Sequence, residues 1–155
     1  MIPNPRGKFF EELEIGQEFP TSGRTITESD ILTFAGFSGD FNPLHLDEEF
    51  AKLTPFKSRV PHGLCIISIA TGLIERLGVV NVTALACLEI AWKFFEPVMI
   101  GDTIRVIMRV IEKRESQKGD RGLVAFEMDV LNQHGKKVEV GSWKLMMAKK
   151  NYFEG

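Results

Sequence analysis

The sequence predicts an α+β fold in which one long apolar helix packs against an antiparallel sheet. Residues 63–77 are apolar or small around most of a helix circumference, and this is typical of a buried helix. From residue 83 onward the chain changes to long stretches with alternating apolar positions, separated by Gly-containing turns, which is typical of strands. Packing such a helix on such strands gives a two-layer domain.

The chain has 155 residues, and this length favours a single domain spanning residues 1–155. Residues 1–16 are predicted to be a leader segment, which Phe9 and Phe10 attach to the surface of the domain. A first strand is predicted over residues 17–26.

Two helices are predicted before the long one. Thr27 can cap the first of them, and Asp30, three residues on, completes a variant of the capping box. Gly39 is placed to end this helix in the left-handed conformation. The second helix is predicted over residues 48–53, with Asp47 as its N-cap.

The long helix is predicted to end at Gly78, and four strands to follow it, over residues 83–95, 102–115, 122–132 and 137–148. A sheet that covers one helix keeps exposed edges, which are a liability unless they are paired. Side-by-side pairing of two sheets in a homodimer would remove one such edge.

Composition excludes several classes of partner. The chain is 44% hydrophobic and 26% charged with a net charge of −2, which gives no reason to expect nucleic acid or an anionic membrane as partner. No signal peptide is evident, and the longest apolar run falls far short of the roughly 20 residues of a membrane span, so a cytoplasmic location is expected. Both cysteines, Cys65 and Cys87, lie in apolar runs and are predicted to be buried, without a metal site.

The chemistry is predicted to lie in the segment from Asp40 to His45 and in Gly63. Pro43 excludes a regular helix here, so a carboxylate and an imidazole five residues apart are carried on a turn. Gly63 begins the apolar helix, where free N–H donors can stabilise a developing oxyanion. Each residue alone has a plainer interpretation: Asp40 as a turn residue, His45 as a partly buried polar residue, and His62 as a solvent-facing residue.

Taken together, these segments resemble a known family. Residues 39–45, Gly-Asp-Phe-Asn-Pro-Leu-His, resemble the signature of MaoC-like dehydratases and (R)-specific enoyl-CoA hydratases. Residues 60–64 resemble the start of that family's central helix, and residues 95–104 resemble the strand–turn–strand that follows it. The resemblance extends from about residue 10 to residue 148.

The resemblance implies a hot-dog fold, in which the sheet wraps the long helix and two subunits join their sheets. It implies a coenzyme A thioester substrate in an acyl tunnel, and no cofactor. It also implies that Asp40 and His45 activate one water molecule, which adds reversibly to a trans-2-enoyl thioester. The backbone N–H of Gly63 would be the oxyanion donor.

Three further residues are expected to contact the substrate: Asn42, His62, and Thr71 at the place of the family's serine. Which residue of the Asp40/His45 pair is the base stays open, as does coenzyme A against acyl carrier protein. Two other functions also stay open, a hot-dog thioesterase and a non-catalytic acyl-CoA-binding subunit. The intact signature favours the hydratase.

Overall fold

The computed structural model describes residues 7–153, which form one antiparallel sheet and four α-helices. The helices are α1 (Glu28–Ser38), α2 (Pro43–Leu46), α3 (Glu48–Leu53) and α4 (Gly63–Glu75). The strands are β1 (Glu18–Pro20), β2 (Arg24–Thr25), β3 (Ala84–Phe94), β4 (Thr103–Glu115), β5 (Arg121–Leu131) and β6 (Lys137–Ala148). The strand order is β1-β4-β5-β6-β3, with β2 also paired to β4. The predicted α+β architecture is confirmed.

The core lies between α4 and one face of the sheet. Alternate residues of β4 and β5 point to this face and are completely buried, as period-2 strands require: Ile104, Val106, Met108, Val110, Val124, Phe126, Met128 and Val130. From α4 the buried side chains are Cys65, Ile66, Ala70, Leu73 and Ile74. This apolar contact fixes where the first turn of α4 lies relative to the strand ends.

Helix α4 is shorter and less buried than predicted. It ends at Glu75, and the chain turns at Gly78, whose φ of 72° only glycine adopts freely. One face is exposed, with Leu64 at 67% of its full exposure. In a single chain the sheet covers one side of the helix, so the apolar circumference is not buried all round.

The predicted leader is part of the core rather than a surface attachment. Phe10 and Leu13 are buried in the main hydrophobic cluster. A Cβ at Gly122 would lie 2.4 Å from the Phe10 ring, so this glycine makes room for it. Residues 1–6 of that leader lie outside the described residues.

The strand predicted over residues 17–26 is in fact two short strands. Pro20 ends β1, because it has no N–H to continue the ladder. The hydroxyl of Thr21 then accepts a hydrogen bond from the N–H of Val106, where a strand would use a backbone carbonyl. The side chain therefore replaces one ladder bond and interrupts the strand.

Both short predicted helices of the N-terminal half are present. Thr27 and Asp30 form the predicted capping box of α1, and Asp47 accepts a hydrogen bond from Phe50 N–H at the start of α3. The prediction of no helix between them was wrong, since α2 is a single helical turn. It begins at Pro43, and proline suits a first helical position, where its missing N–H would have no partner.

Strand β3 is an edge of the sheet, and its outer side chains are exposed. Leu88 and Ile90 are each about half exposed. The prediction that Cys87 is buried was wrong for this reason, whereas Cys65 is buried as expected. Within residues 7–153, no helix has the length and apolar character needed to cross a membrane.

Candidate active site

The segment from Asp40 to His45 is shaped by two successive side-chain-to-backbone turns. Gly39 ends α1 in the left-handed conformation, with φ 78°. The carboxylate of Asp40 then accepts a hydrogen bond from Asn42 N–H at 3.2 Å, and the Asn42 side chain accepts one from Leu44 N–H at 3.1 Å. These contacts turn the chain sharply and present His45 from α2. The turn-forming role of Asp40 is therefore real, and it leaves the second carboxylate oxygen free of this turn.

His45 is buried and held in one orientation. Its Nδ1 lies 2.7 Å from the carbonyl oxygen of Val60. Because a carbonyl only accepts, Nδ1 carries a proton, and Nε2 is the ring nitrogen left to face other groups. The adjacent Arg59 anchors this segment through ion pairs to Glu28 on α1 and Glu48 on α3, at 2.6 and 3.0 Å. These ion pairs hold the neighbouring Val60 in place, and the Val60 carbonyl in turn fixes the orientation of the His45 ring.

His62 connects the two predicted catalytic residues. It is only 2% exposed, so it does not face solvent at the helix start. Its Nε2 donates to the backbone carbonyl of Asp40 at 2.9 Å, and its ring stacks on that of His45 with centroids 3.8 Å apart. The ring of Phe34 also packs against that of His62, with the two centroids 4.9 Å apart. The Nδ1 of His62 is buried and has no hydrogen-bond partner among the residues described.

These contacts bring Asp40, His45 and His62 into one cluster. One oxygen or nitrogen from each side chain lies within 4.8 Å of the others. Such spacing allows one water molecule to be held between a carboxylate and an imidazole. The same three side chains could hold a metal ion. That they bind none is still a prediction.

Gly63 is the first residue of α4, directly after His62. Its N–H belongs to the first turn, where a helix offers no backbone acceptor, and it lies at the positive end of the helix dipole. A Cβ at this position would lie 2.9 Å from the tip of the Phe94 ring. The site therefore has no room for a side chain at Gly63 unless Phe94 moves.

A cavity of about 370 Å³ opens beside His45 and Gly63. Most of its wall is apolar, from residues including Leu44, Phe56, Val60, Ile66, Phe94 and Phe95. Glu96 and Glu139 also line the cavity and are its acidic residues. An apolar pocket with a few convergent polar groups is the usual form of a small-molecule site.

The remaining predicted residues lie outside the cavity wall. Asn42 is exposed and caps α2. Thr71 lies about two turns along α4 from Gly63, and its hydroxyl donates to the carbonyl of Ser68 at 2.7 Å. Asp40 belongs to the cluster with His45 and His62 but does not line the cavity. Substrate contacts of Asn42, His62 and Thr71 stay predictions.

Sequence reasoning missed Glu139 and its partner Trp92. Glu139 is 2% exposed, and the indole N–H of Trp92 donates to its carboxyl at 2.7 Å. Burial raises the pKa of the Glu139 carboxyl to about 7, although the Trp92 hydrogen bond acts in the opposite direction. The one signal in the sequence was a charged residue between two valines in a predicted strand.

Comparison with known proteins identifies the family of this chain. The MaoC like domain profile matches residues 10–130. Protein MaoC of Klebsiella aerogenes is 42% identical over 76% of this chain, which spans 34% of that protein. An (R)-specific enoyl-CoA hydratase of Rhodospirillum rubrum is 36% identical over 66% of this chain and 69% of its own. The crystal structure of a monoamine oxidase regulatory protein from Archaeoglobus fulgidus superposes with a TM-score of 0.87 at 35% identity, covering 93% of this chain and 96% of that one.

The fold is therefore the hot-dog fold, as the resemblance implied. The profile covers well over half of the chain, and it includes the signature segment, Gly63 and the edge strand. The chain belongs to the MaoC-like dehydratase family.

Proposed function

We propose that this protein is an (R)-specific enoyl-CoA hydratase, which adds water reversibly to a trans-2-enoyl thioester to give an (R)-3-hydroxyacyl thioester. The observation that carries the proposal is the cluster of Asp40 and His45 beside an apolar cavity that begins at the N-terminus of α4. A carboxylate, an oriented imidazole and a free backbone N–H are the groups that hydration of a conjugated thioester needs. The hydratase name of the Rhodospirillum relative supports the same reaction.

The thioester carbonyl would accept a hydrogen bond from Gly63 N–H, with the dipole of α4 behind it. Negative charge develops on this oxygen as water attacks the β-carbon. Loss of one such donor typically costs about 100- to 1000-fold in rate. Because Gly63 has no side chain, a carbonyl can reach its N–H once the Phe94 ring shifts.

The water molecule would lie between the Asp40 carboxylate and Nε2 of His45. The hydroxyl group bonds to the β-carbon, the pair takes the proton that water loses, and a proton is returned to the α-carbon. His45 is suited to this exchange because its Nδ1–H is already committed to Val60, which leaves Nε2 for the substrate side. His62 would keep the two groups together through its contact with the Asp40 backbone and its stacking on His45.

The protein is further proposed to act as a homodimer in the cytoplasm, in fatty acid metabolism. Strand β3 is an edge of the sheet and carries exposed apolar side chains, of which Leu88, Ile90 and Phe94 are each about half exposed. A second copy paired along this strand would bury them and would satisfy the free backbone groups of the edge. The edge also supplies Phe94 to the cavity wall, so pairing would complete the enclosure of the site.

A spectroscopic assay tests the reaction directly. Loss of the conjugated thioester absorbance of crotonyl-CoA and longer enoyl-CoAs, without release of free thiol, is the expected result. Thiol release would identify a thioesterase, and binding without either change would identify a non-catalytic subunit. Chiral analysis of the product checks the (R) configuration.

Substitution of the pair tests the assigned residues. Asp40→Asn and His45→Gln should each lower turnover at least about 100-fold, and the double variant should be little worse than the poorer single one, because the two act on one water. His134→Gln, in the exposed turn between β5 and β6, is the matched control and should keep its turnover. Thermal unfolding of all variants separates a lost rate from a lost fold. Normal hydration by both folded single variants would refute the assignment.

A further inference from the structure

Glu139 points into the cavity from the helix-facing side of the sheet. It is paired with Val130 on β5 and with Phe94 on β3. Residues directly opposite each other in antiparallel strands project to the same face, and Val130 is completely buried in the core. The register therefore directs the Glu139 side chain toward α4, on the side of the sheet where Glu139 lines the cavity.

Two other residues are arranged to support this carboxyl. Trp92 on β3 donates its indole N–H to Oε2 of Glu139 at 2.7 Å. The Trp92 ring lies flat over Gly141, its partner on β6, where a Cβ would be 2.1 Å from a ring carbon. Any side chain at position 141 would displace the indole. Trp92, positioned by Gly141, thus holds the Glu139 carboxyl in one place.

The Glu139 carboxyl has no structural partner that accounts for its burial. Among residues 7–153 it forms no ion pair, and Trp92 is the side chain that hydrogen-bonds to it. The other ionisable groups of the cavity wall are His45 and Glu96, and Glu96 is paired with Lys136. A buried carboxyl with one bonded oxygen is costly, and an alkyl chain in the cavity would leave the other oxygen unsatisfied. A ligand with a hydrogen-bonding group would satisfy it.

We propose that Glu139 determines substrate specificity by hydrogen-bonding a hydroxyl group on the acyl chain, so that the protein prefers hydroxylated enoyl thioesters to plain alkyl ones. This inference rests on the proposed hydratase function. A hydroxyl both donates and accepts, so it suits the carboxyl whether protonated or ionised. An acyl chain that ends in a carboxylate is disfavoured above about pH 7, because the ionised Glu139 carboxylate would repel it.

The first test needs no variant. Hex-2-enoyl-CoA is compared with its 4-, 5- and 6-hydroxy derivatives and with the chain that ends in a carboxylate, by kcat/KM at pH 8. We expect at least one hydroxy isomer to exceed the alkyl parent by roughly tenfold or more, the usual effect of a hydrogen bond to a charged group, and the carboxylate chain to be the poorest. Equal values for the alkyl and hydroxy chains would overturn the inference and leave the proposed function intact. No hydration of any chain would overturn both.

A pair of matched variants then assigns the effect to the carboxyl. Glu139→Gln keeps an oxygen that can accept from Trp92, so it is expected to fold, but it loses the charge. Its preference for the hydroxy chain should fall about threefold or more, because hydrogen bonds to neutral groups are weaker. Glu112→Gln, at an exposed position on β4, should keep the full preference. If folded Glu139→Gln keeps the full preference for the hydroxy chain, another residue determines that preference.

Discussion

The buried carboxyl of Glu139 gives the protein a stability that depends on pH, and the dependence can be worked out from its pKa. Burial raises that pKa to about 7 in the folded chain, whereas an exposed Glu titrates at about 4.3. Below about pH 3 both states are protonated and ionisation has no effect on stability. As pH rises, the unfolded chain releases its proton first, so stability is lost progressively until the folded state also ionises above about pH 7.

Between pH 5 and pH 8 this linkage removes roughly 2–3 kcal/mol from the free energy of unfolding. Glu139→Gln stays neutral at every pH and escapes the loss. We therefore expect the variant to gain roughly 2–3 kcal/mol relative to wild type from pH 5 to pH 8. For a chain of this length, that corresponds to a gain in Tm of about 5–10 °C at pH 8 relative to pH 5.

Urea unfolding of both proteins at the two pH values measures the difference, with protein concentration held constant because the proposed dimerisation would contribute to stability. Other titrating groups cancel, since they are common to both proteins. Glu112→Gln is again the control and should show no such change, because this carboxyl is exposed. A difference between wild type and Glu139→Gln that is the same at pH 5 and pH 8 would refute the raised pKa.

The remaining predictions concern the oxyanion donor, assembly and metal. Gly63→Val should lower hydration about 100-fold or more with a nearly unchanged Tm, because the new side chain crowds the carbonyl and meets the tip of the Phe94 side chain rather than backbone; Gly36→Ala, with open space around its Cα, is the control for turnover. Light scattering should give a dimer at micromolar concentration, and an active monomer would contradict edge pairing along β3. Incubation with EDTA should leave hydration unchanged, since the proposed chemistry uses protein groups alone; lost activity that zinc restores would instead assign a metal to Asp40, His45 and His62.

The sequence predicted those parts of the fold that depend on local signals. The capping box at Thr27, the left-handed Gly39 and the N-cap Asp47 each act within a few residues, and the structure has all three. The single-turn helix at Pro43 was missed because proline forbids the interior of a helix but favours its first turn.

Features that depend on distant partners were not predictable in the same way. The interruption of the first strand requires the hydroxyl of Thr21 to meet Val106, which is 85 residues away in the chain. Burial of Phe10 depends on an absent side chain at Gly122. The exposure of Cys87 follows from the place of β3 at the sheet edge, which the order of strands along the chain does not reveal.

The same distinction between local signals and distant partners applies to the candidate site. Asp40 and His45 could be predicted as site residues because they belong to one short segment whose residue types suggest chemistry. The bridging role of His62 needs the fold, because its ring must reach the Asp40 carbonyl 22 residues earlier. Glu139 was missed because a charged residue in a strand shows its partner and its direction only when the register with β3 and β5 is known.

The indole of Trp92 makes the cavity observable by fluorescence. Its N–H is bonded to the Glu139 carboxyl, whose pKa burial raises to about 7, and its ring is fixed against Gly141. The chain has two tryptophans, so Trp143→Phe leaves Trp92 as the single emitter. Its emission should then follow the ionisation of Glu139 in the free protein and change when an acyl chain fills the cavity. Ligand binding can thus be followed in the native fold without a label and without turnover.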